Sequence, residues 1–178
     1  MAVSFSIRGI LAALVLSVMG CTTVNVTEYA GERPALDLGA YFNGPVKGWG
    51  MFQDRSGKAV KRFVVDIDAR WVGDVGTLDE HFKYSDGTTQ QRVWTIRRTG
   101  GGRYAGTAED VVGEAVGEAA GNAIRWRYVL ALPVDGKVYN VDMDDWMYLV
   151  DDHVLLNRTT MSKFGVRLGE VTLSFSKP

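Results

Sequence analysis

The chain has one cysteine, Cys21, in 178 residues. With Cys21 as its only thiol it can form no internal disulfide, so packing alone must hold the fold even in an oxidising compartment. Histidine is almost as scarce, and His81 and His153 lie far apart in sequence. No Gly-x-Ser-x-Gly, His-Glu-x-x-His or cysteine-nucleophile pattern occurs, and Gly100-Gly101-Gly102 lacks the Lys-Ser/Thr of a phosphate loop. These absences argue against an enzyme. A carboxylate pair for glycoside chemistry stays open, because Asp and Glu are plentiful and their spacing in three dimensions is not readable. Asp142 and Asp144 lack the glycine and terminal Glu of an EF-hand loop, and neither a metal nor a cofactor is expected. Basic and acidic residues are interspersed at a net charge of −1, with no basic patch of the kind nucleic acid requires. After Cys21 no apolar run approaches bilayer-spanning length.

What the chain does have is a beginning suited to export. Ser6-Ile7-Arg8 supplies a short positive start, and Gly9 to Val18 is apolar apart from Ser17. A run of about ten apolar residues is roughly half of what a helix needs to cross a bilayer, so it reads as a secretory signal helix. Val18-Met19-Gly20-Cys21 fits the bacterial lipobox: aliphatic three places back, small immediately before, then the thiol. Met19 is a less usual middle residue. Cleavage before Cys21 exposes a thiol and an amine for acylation, and more than one chain at about 0.8 kcal/mol per methylene gives stable anchoring. An ordinary cleaved signal with a nearby cysteine, or an N-terminal core helix, are the alternatives. Thr22 is not the Asp of inner-membrane retention, so the periplasmic face of the outer membrane is the expected address, with the inner membrane as the other choice.

Without residues 1–20 the chain keeps 158 residues and, having lost Arg8, a charge of −2, which suits one domain with a substantial core. Residues 21–36 read as a lipidated, flexible tether, mostly polar or small from Thr22 to Arg33. Residues 37–178 read as the folded domain. Asp37 to Phe42 could form one helical turn, stopped by Asn43-Gly44-Pro45.

Beyond Pro45 alternation dominates. Phe63, Val65, Ile67, Ala69 and Trp71 fall on one face of a run whose other face holds Asp66, Asp68 and Arg70, the pattern of a half-buried strand. Similar runs cover Val46–Asp54, Thr77–Tyr84, Thr88–Thr99, Ala123–Pro133, Lys137–Val150, Val154–Met161 and Val166–Lys177. Short polar turns separate them, Asp135-Gly136 being the strongest hairpin signal. In Thr77–Tyr84, Glu80 falls among Leu78, Phe82 and Tyr84. Thr107–Gly121, with glycines at 113, 117 and 121, suits a helix or strands. Strands are favoured, since each glycine weakens a helix by around 1 kcal/mol but lets a curved sheet bend. Eight to ten short antiparallel strands joined by tight hairpins predict an all-β, up-and-down, lipocalin-like barrel in preference to a Greek-key sandwich.

The blocks Trp49-Gly50-Met51-Phe52-Gln53-Asp54-Arg55-Ser56-Gly57, Asp144-Asp145-Trp146-Met147-Tyr148-Leu149 and Met161-Ser162-Lys163-Phe164-Gly165 resemble those of an uncharacterised proteobacterial lipoprotein family, domain of unknown function three eight three three. The resemblance runs from about Leu36 to the end. It implies a lipocalin or calycin-like barrel on a lipoprotein, and it brings no catalytic motif.

Two constellations stand out. Alternation over Tyr139–Val150 places Asp145 among Val141, Met143, Met147 and Leu149, and a carboxylate there needs a partner or holds a raised pKa. Arg158 and Arg167, on the next two strands, are the expected partners. Asp145 is then a structural ion pair, a residue turned out by a bulge at Asp144-Asp145, or a polar anchor in a cavity. In the last case an Arg fork at 158 or 167 would meet a fatty-acid carboxylate. Trp126, Tyr128, Trp146 and Tyr148 form an aromatic group on two strands paired through Asp135-Gly136, and they either line a pocket or fill the core. The expectation is therefore an envelope lipoprotein that binds or carries a fatty-acid or lipid-like ligand. The alternative is a structural or partner-binding lipoprotein with a filled barrel, and interior volume separates the two.

Overall fold

Period-two runs become strands wherever one parity is apolar, because successive side chains of an extended chain point to opposite faces. A computed structural model describes residues 23–178; the signal segment and Cys21 lie outside the described residues. Ten strands follow in order: β1 (Gly44–Asp54), β2 (Ala59–Val72), β3 (Val75–Tyr84), β4 (Thr89–Gly100), β5 (Arg103–Thr107), β6 (Val111–Ala120), β7 (Ala123–Val134), β8 (Lys137–Leu149), β9 (Val154–Lys163) and β10 (Val166–Ser176). On β2, Val65, Ile67 and Ala69 are buried while Asp66, Asp68 and Arg70 are exposed.

Each strand pairs antiparallel with the next, and β1 pairs with β10 from Lys47 opposite Ser176 to Asp54 opposite Gly169. The sheet is a closed up-and-down barrel without a free edge, complete within residues 44–176. The region around residues 107–121 is strand. Gly113, at φ +74°, sits where the β6–β7 register shifts between Val112 and Val116, so the glycines bend the sheet instead of weakening a helix.

Hairpin turns alternate between the two ends of such a meander. One end holds the turns at 55–58, 85–88, 108–110, 135–136 and 164–165; the other holds those at 73–74, 101–102, 121–122 and 150–153. The second end is closed by a single helical turn, α1 (Leu38–Tyr41), whose N-cap Asp37 accepts from Ala40 N–H at 3.0 Å. Tyr41 Oη donates to the His153 carbonyl at 2.9 Å, and Trp71 Nε1 donates to the Phe42 carbonyl at 2.9 Å. Leu38, Tyr41 and Phe42 are buried beneath it.

Residues expected to form a loose tether are docked from Asn25 onward. Asn25 and Glu28 form a capping box on a 3-10 turn at Val26–Tyr29, Val26 is buried, and Leu36 N–H donates to the Gly121 carbonyl. The Tyr29 ring meets Tyr148 at 5.4 Å and Trp146 at 6.1 Å on the outer wall. A polar, small composition hides such a segment, because one cap and one aromatic are enough to dock it. Among the described residues no helix is long and apolar enough to cross a membrane.

Candidate functional site

Inward-facing side chains do not fill the barrel. They enclose a cavity of about 620 Å³, within the ~300–1,000 Å³ of small-molecule sites. Leu38, Phe42 and Phe175 form its floor at the closed end. Thr88, Thr89 and Asp110, beside the turns of the opposite end, line its mouth. Phe63, Phe82, Trp94, Trp126 and Tyr128 supply most of the aromatic wall. Trp94 meets Trp126 at 5.7 Å and Tyr128 at 5.4 Å, both edge to face. Trp126 can lie flat against β5 and β6 because glycines face it: a Cβ on Gly117 would stand 2.2 Å from the indole, and one on Gly106 2.7 Å.

Into this apolar wall the strands deliver a cluster of charged groups. Glu80 on β3 is directly opposite Arg92 on β4, and the guanidinium Nη1 lies 4.0 Å from the carboxylate Oε2. Asp110, in the β5–β6 turn, grips Arg92 with both oxygens at 3.0 Å from Nε and one at 2.6 Å from Nη2. Glu80 and Arg92 keep only 12% and 17% side-chain exposure, and both line the cavity. On β8, Asp145 accepts from Asn157 Nδ2, which also donates to the Trp146 carbonyl at 3.1 Å.

Burial pushes the Glu80 carboxyl up to about 7 against the pull of Arg92. It lifts Asp145 to about 6, opposed by hydrogen bonds from Asn157 and Thr159. Burial, reinforced by Asp145, holds the Tyr128 phenol well above its ordinary value. For Arg92 burial works against the cation, but Glu80, Tyr128 and Asp110 outweigh it and keep it charged. One guanidinium thus faces two carboxyls, Glu80 and Asp110, with the raised Asp145 carboxyl on the same cavity wall. Such a cluster accepts a hydrogen-bond donor or a cation and disfavours a further carboxylate.

Trp126, Tyr128 and Asp145 come together on the cavity wall. The other four residues of the sequence-predicted set do not. Arg158 and Arg167 are outside, 67% and 48% exposed, sharing Glu170 at 2.7 and 3.0 Å. Their expected pairing with Asp145 is corrected: Asn157 and Thr159 face inward on β9, so Arg158 between them must face out. Trp146 and Tyr148 are also outside, since each neighbours an inward residue on β8. They stack at 6.0 Å with an interplanar angle of 10°, next to Tyr29, and Arg125, bonded to Asp144 at 2.7 Å, lies over Trp146. Tyr148 and Arg158 border only a shallow outer groove with Trp49 and Leu156.

Glu80, Arg92, Asp110 and Asn157 also line the cavity, and no sequence motif marks them as site residues. Parity held a signal for two of them. Glu80 shares a face with Leu78 and Phe82, and Arg92 with Trp94 and Ile96. Asp110 lies in a turn, where no period applies. His81 is exposed beside Asp79, and His153 belongs to the closed-end turn. Among the described residues no three His, Cys, Asp or Glu groups converge to hold a metal.

The barrel is of the lipocalin-like kind found in solved structures of distant sequence. The S-type phycobiliprotein lyase CPES from Guillardia theta is 6% identical with a TM-score of 0.59, covering 87% of this chain and 99% of its own. Rv2717c from M. tuberculosis is 15% identical with a TM-score of 0.59, covering 83% and 99%. At these identities the likeness is one of fold. No curated protein matches the sequence. Residues 15–177 match the family described as protein of unknown function (DUF3833), and the chain belongs to that family.

Proposed function

We propose that this protein is an envelope lipoprotein, acylated at Cys21, whose barrel binds and carries a lipid-like ligand. The observation that supports the reading best is the cavity of about 620 Å³ with an aromatic wall and a polar cluster set into it. A filled structural barrel has no use for such a volume. The ligand's apolar body lies along Phe63, Trp94, Trp126 and Tyr128. Its polar end meets Glu80, Asp145 and Asn157. A free fatty acid fits this cluster poorly, because Arg92 is already held by Asp110 and faces Glu80. A hydroxyl, amide or amine head group on an acyl or polycyclic body fits it well. The periplasmic face of the outer membrane is the proposed address, with the inner membrane as the alternative.

Mass spectrometry of lipid co-purifying with residues 22–178, expressed without the anchor, tests the reading. A recurrent lipid lost on Trp126→Ala or Tyr128→Ala supports it. A barrel that carries no lipid and takes up no fluorescent lipid analogue overturns it.

A further inference from the structure

The turn joining β9 and β10 carries an arrangement that the barrel itself does not need. Phe164 and Gly165 have φ of +52° and +76°, the left-handed pair of a two-residue primed hairpin turn. Asn or Asp is the usual first residue there, as Asp135 (φ +49°) is in the neighbouring β7–β8 turn. A phenylalanine is strained in that conformation. The residue is also 90% exposed, with the Lys163 ammonium 5.0 Å from its ring centroid. Backbone strain and an aromatic in water are both unfavourable, and neither is compensated inside the barrel.

Phe164 is not isolated. Val166 beside it is exposed, as are Val134, Val138 and Tyr139 on the β7–β8 hairpin. The two hairpins are neighbours: β8 pairs with β9, and Lys163 Nζ donates to the Asn140 carbonyl at 2.8 Å while lying 5.8 Å from the Tyr139 ring centroid. Lys137, Lys163 and Arg167 flank the apolar tips, with Asp135 the one acid within residues 134–139 and 163–167; Arg167 also reaches back to Glu170 at 3.0 Å. These two hairpins differ from the other mouth turns, which carry Asp54, Asp86 and Glu109-Asp110, and from the closed end. Its exposed Val72, Val75 and Val150 sit on turns carrying Asp74 and Asp151-Asp152. Residues 23–43 pack on the outer wall and at that closed end, so among the described residues no segment outside the barrel covers the mouth hairpins.

We infer that the β7–β8 and β9–β10 hairpin tips dock the mouth of the barrel onto an anionic lipid bilayer, with Phe164, Val138 and Val166 entering the interface and Lys137, Lys163 and Arg167 meeting lipid phosphates. Aromatic and aliphatic side chains at the tip with cations just behind them match the layering of a membrane surface. A bilayer at this end stands where a lipid-like ligand enters or leaves the cavity. The docking goes beyond the carrier reading and rests on the rim alone.

The test is co-sedimentation of residues 23–178, which contain the whole closed sheet, with phosphatidylcholine vesicles made with and without phosphatidylglycerol. The unaltered barrel binds the anionic vesicles and is released by salt. Phe164→Asn binds them about tenfold more weakly, the effect of one phenylalanine withheld from an apolar phase. It unfolds at a temperature no lower than the unaltered barrel, because Asn tolerates the left-handed turn. Val72→Asn at the closed end binds as before. Failure of the unaltered barrel to bind anionic vesicles, or equal binding by Phe164→Asn, overturns the inference. So does a dimer in solution that Phe164→Asn dissolves while vesicle binding is absent, since the patch is then an interface between copies. Lipid co-purification is read separately: vesicle binding with no co-purified lipid leaves the docking and removes the carrier reading, and the reverse result removes only the docking.

Discussion

Glu80 and Arg92 face each other across the β3–β4 ladder inside the cavity, 4.0 Å apart, and Asp110 holds the far side of the same guanidinium at 2.6 Å. The arrangement orders a cation that would otherwise be free to neutralise Glu80 fully. Burial nonetheless leaves two carboxyls in the cavity wall, Glu80 and Asp145, with raised pKa values.

Stability should therefore decline as pH rises through neutrality. Burial lifts Glu80 from 4.5 to about 7 and Asp145 from 3.8 to about 6. A carboxyl that holds its proton more tightly when folded adds stability at low pH, and that gain is lost as pH climbs through the folded value. Asp54 and Asp151, whose carboxylates are held low chiefly by hydrogen bonds in their own turns, act in the opposite sense and only at lower pH. Thermal unfolding between about pH 5 and 8 should show the decline, and Glu80→Gln should flatten it by on the order of 2 kcal/mol. An unchanged pH profile in Glu80→Gln would place the titration elsewhere.

Arg92→Met should destabilise the barrel by about 3 kcal/mol, because it leaves Asp110 and Glu80 without their shared cation. Arg158→Met, which removes an exposed guanidinium while Glu170 keeps Arg167, should stay within about 0.5 kcal/mol. Urea unfolding of the two variants compares them directly. Equal effects would mean that the interior cluster contributes no more than a surface pair.

Gly117→Ala should cost about 1–3 kcal/mol by overpacking, since its new Cβ would lie 2.2 Å from a Trp126 ring that Trp94 also contacts. Trp126→Leu should recover most of that loss. A double-mutant cycle measures the coupling, and additivity would show that the indole moves aside freely.

Tyr29→Ala should undock the N-terminal segment from Trp146 and Tyr148 at a cost of about 1 kcal/mol while the barrel stays closed. Hydrogen exchange is the readout. Protection should fall at residues 26–36 and persist in β2 and β7. Loss of protection throughout would make this segment part of the barrel's cooperative unit.

Cys21→Ser should leave the domain removable from membranes by salt, or block its processing, without altering the barrel's unfolding. Cell fractionation with a high-salt wash decides it, because salt releases a charged rim but not an acyl anchor, and a variant still processed and membrane-bound after the wash would remove acylation from the account.

Strand parity was legible along most of the chain. Asp145 was placed inward from its neighbours Met143 and Met147, and the strand preference over Thr107–Gly121 agrees with β5 and β6. The arginine that serves the interior is not legible in the local pattern. Arg158 and Arg167 follow Asp145 on adjacent strands, yet Arg158 has outward parity, and a register shift between Arg167 and Gly169 breaks the count on β10. Arg92 had inward parity but lies four strands away in sequence. Nothing local links it to Asp145.

Sequence by itself determined the succession of strands and turns, because period-two alternation and the Asp-Gly type of turn are properties of a few consecutive residues. Only the closed tertiary structure decided which side chains share the interior. Closing ten strands brings Glu80, Arg92, Asp110 and Asp145 from separate parts of the chain to one wall. A shift of one residue at a bulge reverses which face a side chain takes, and curvature leaves a cavity of about 620 Å³ that no local pattern encodes.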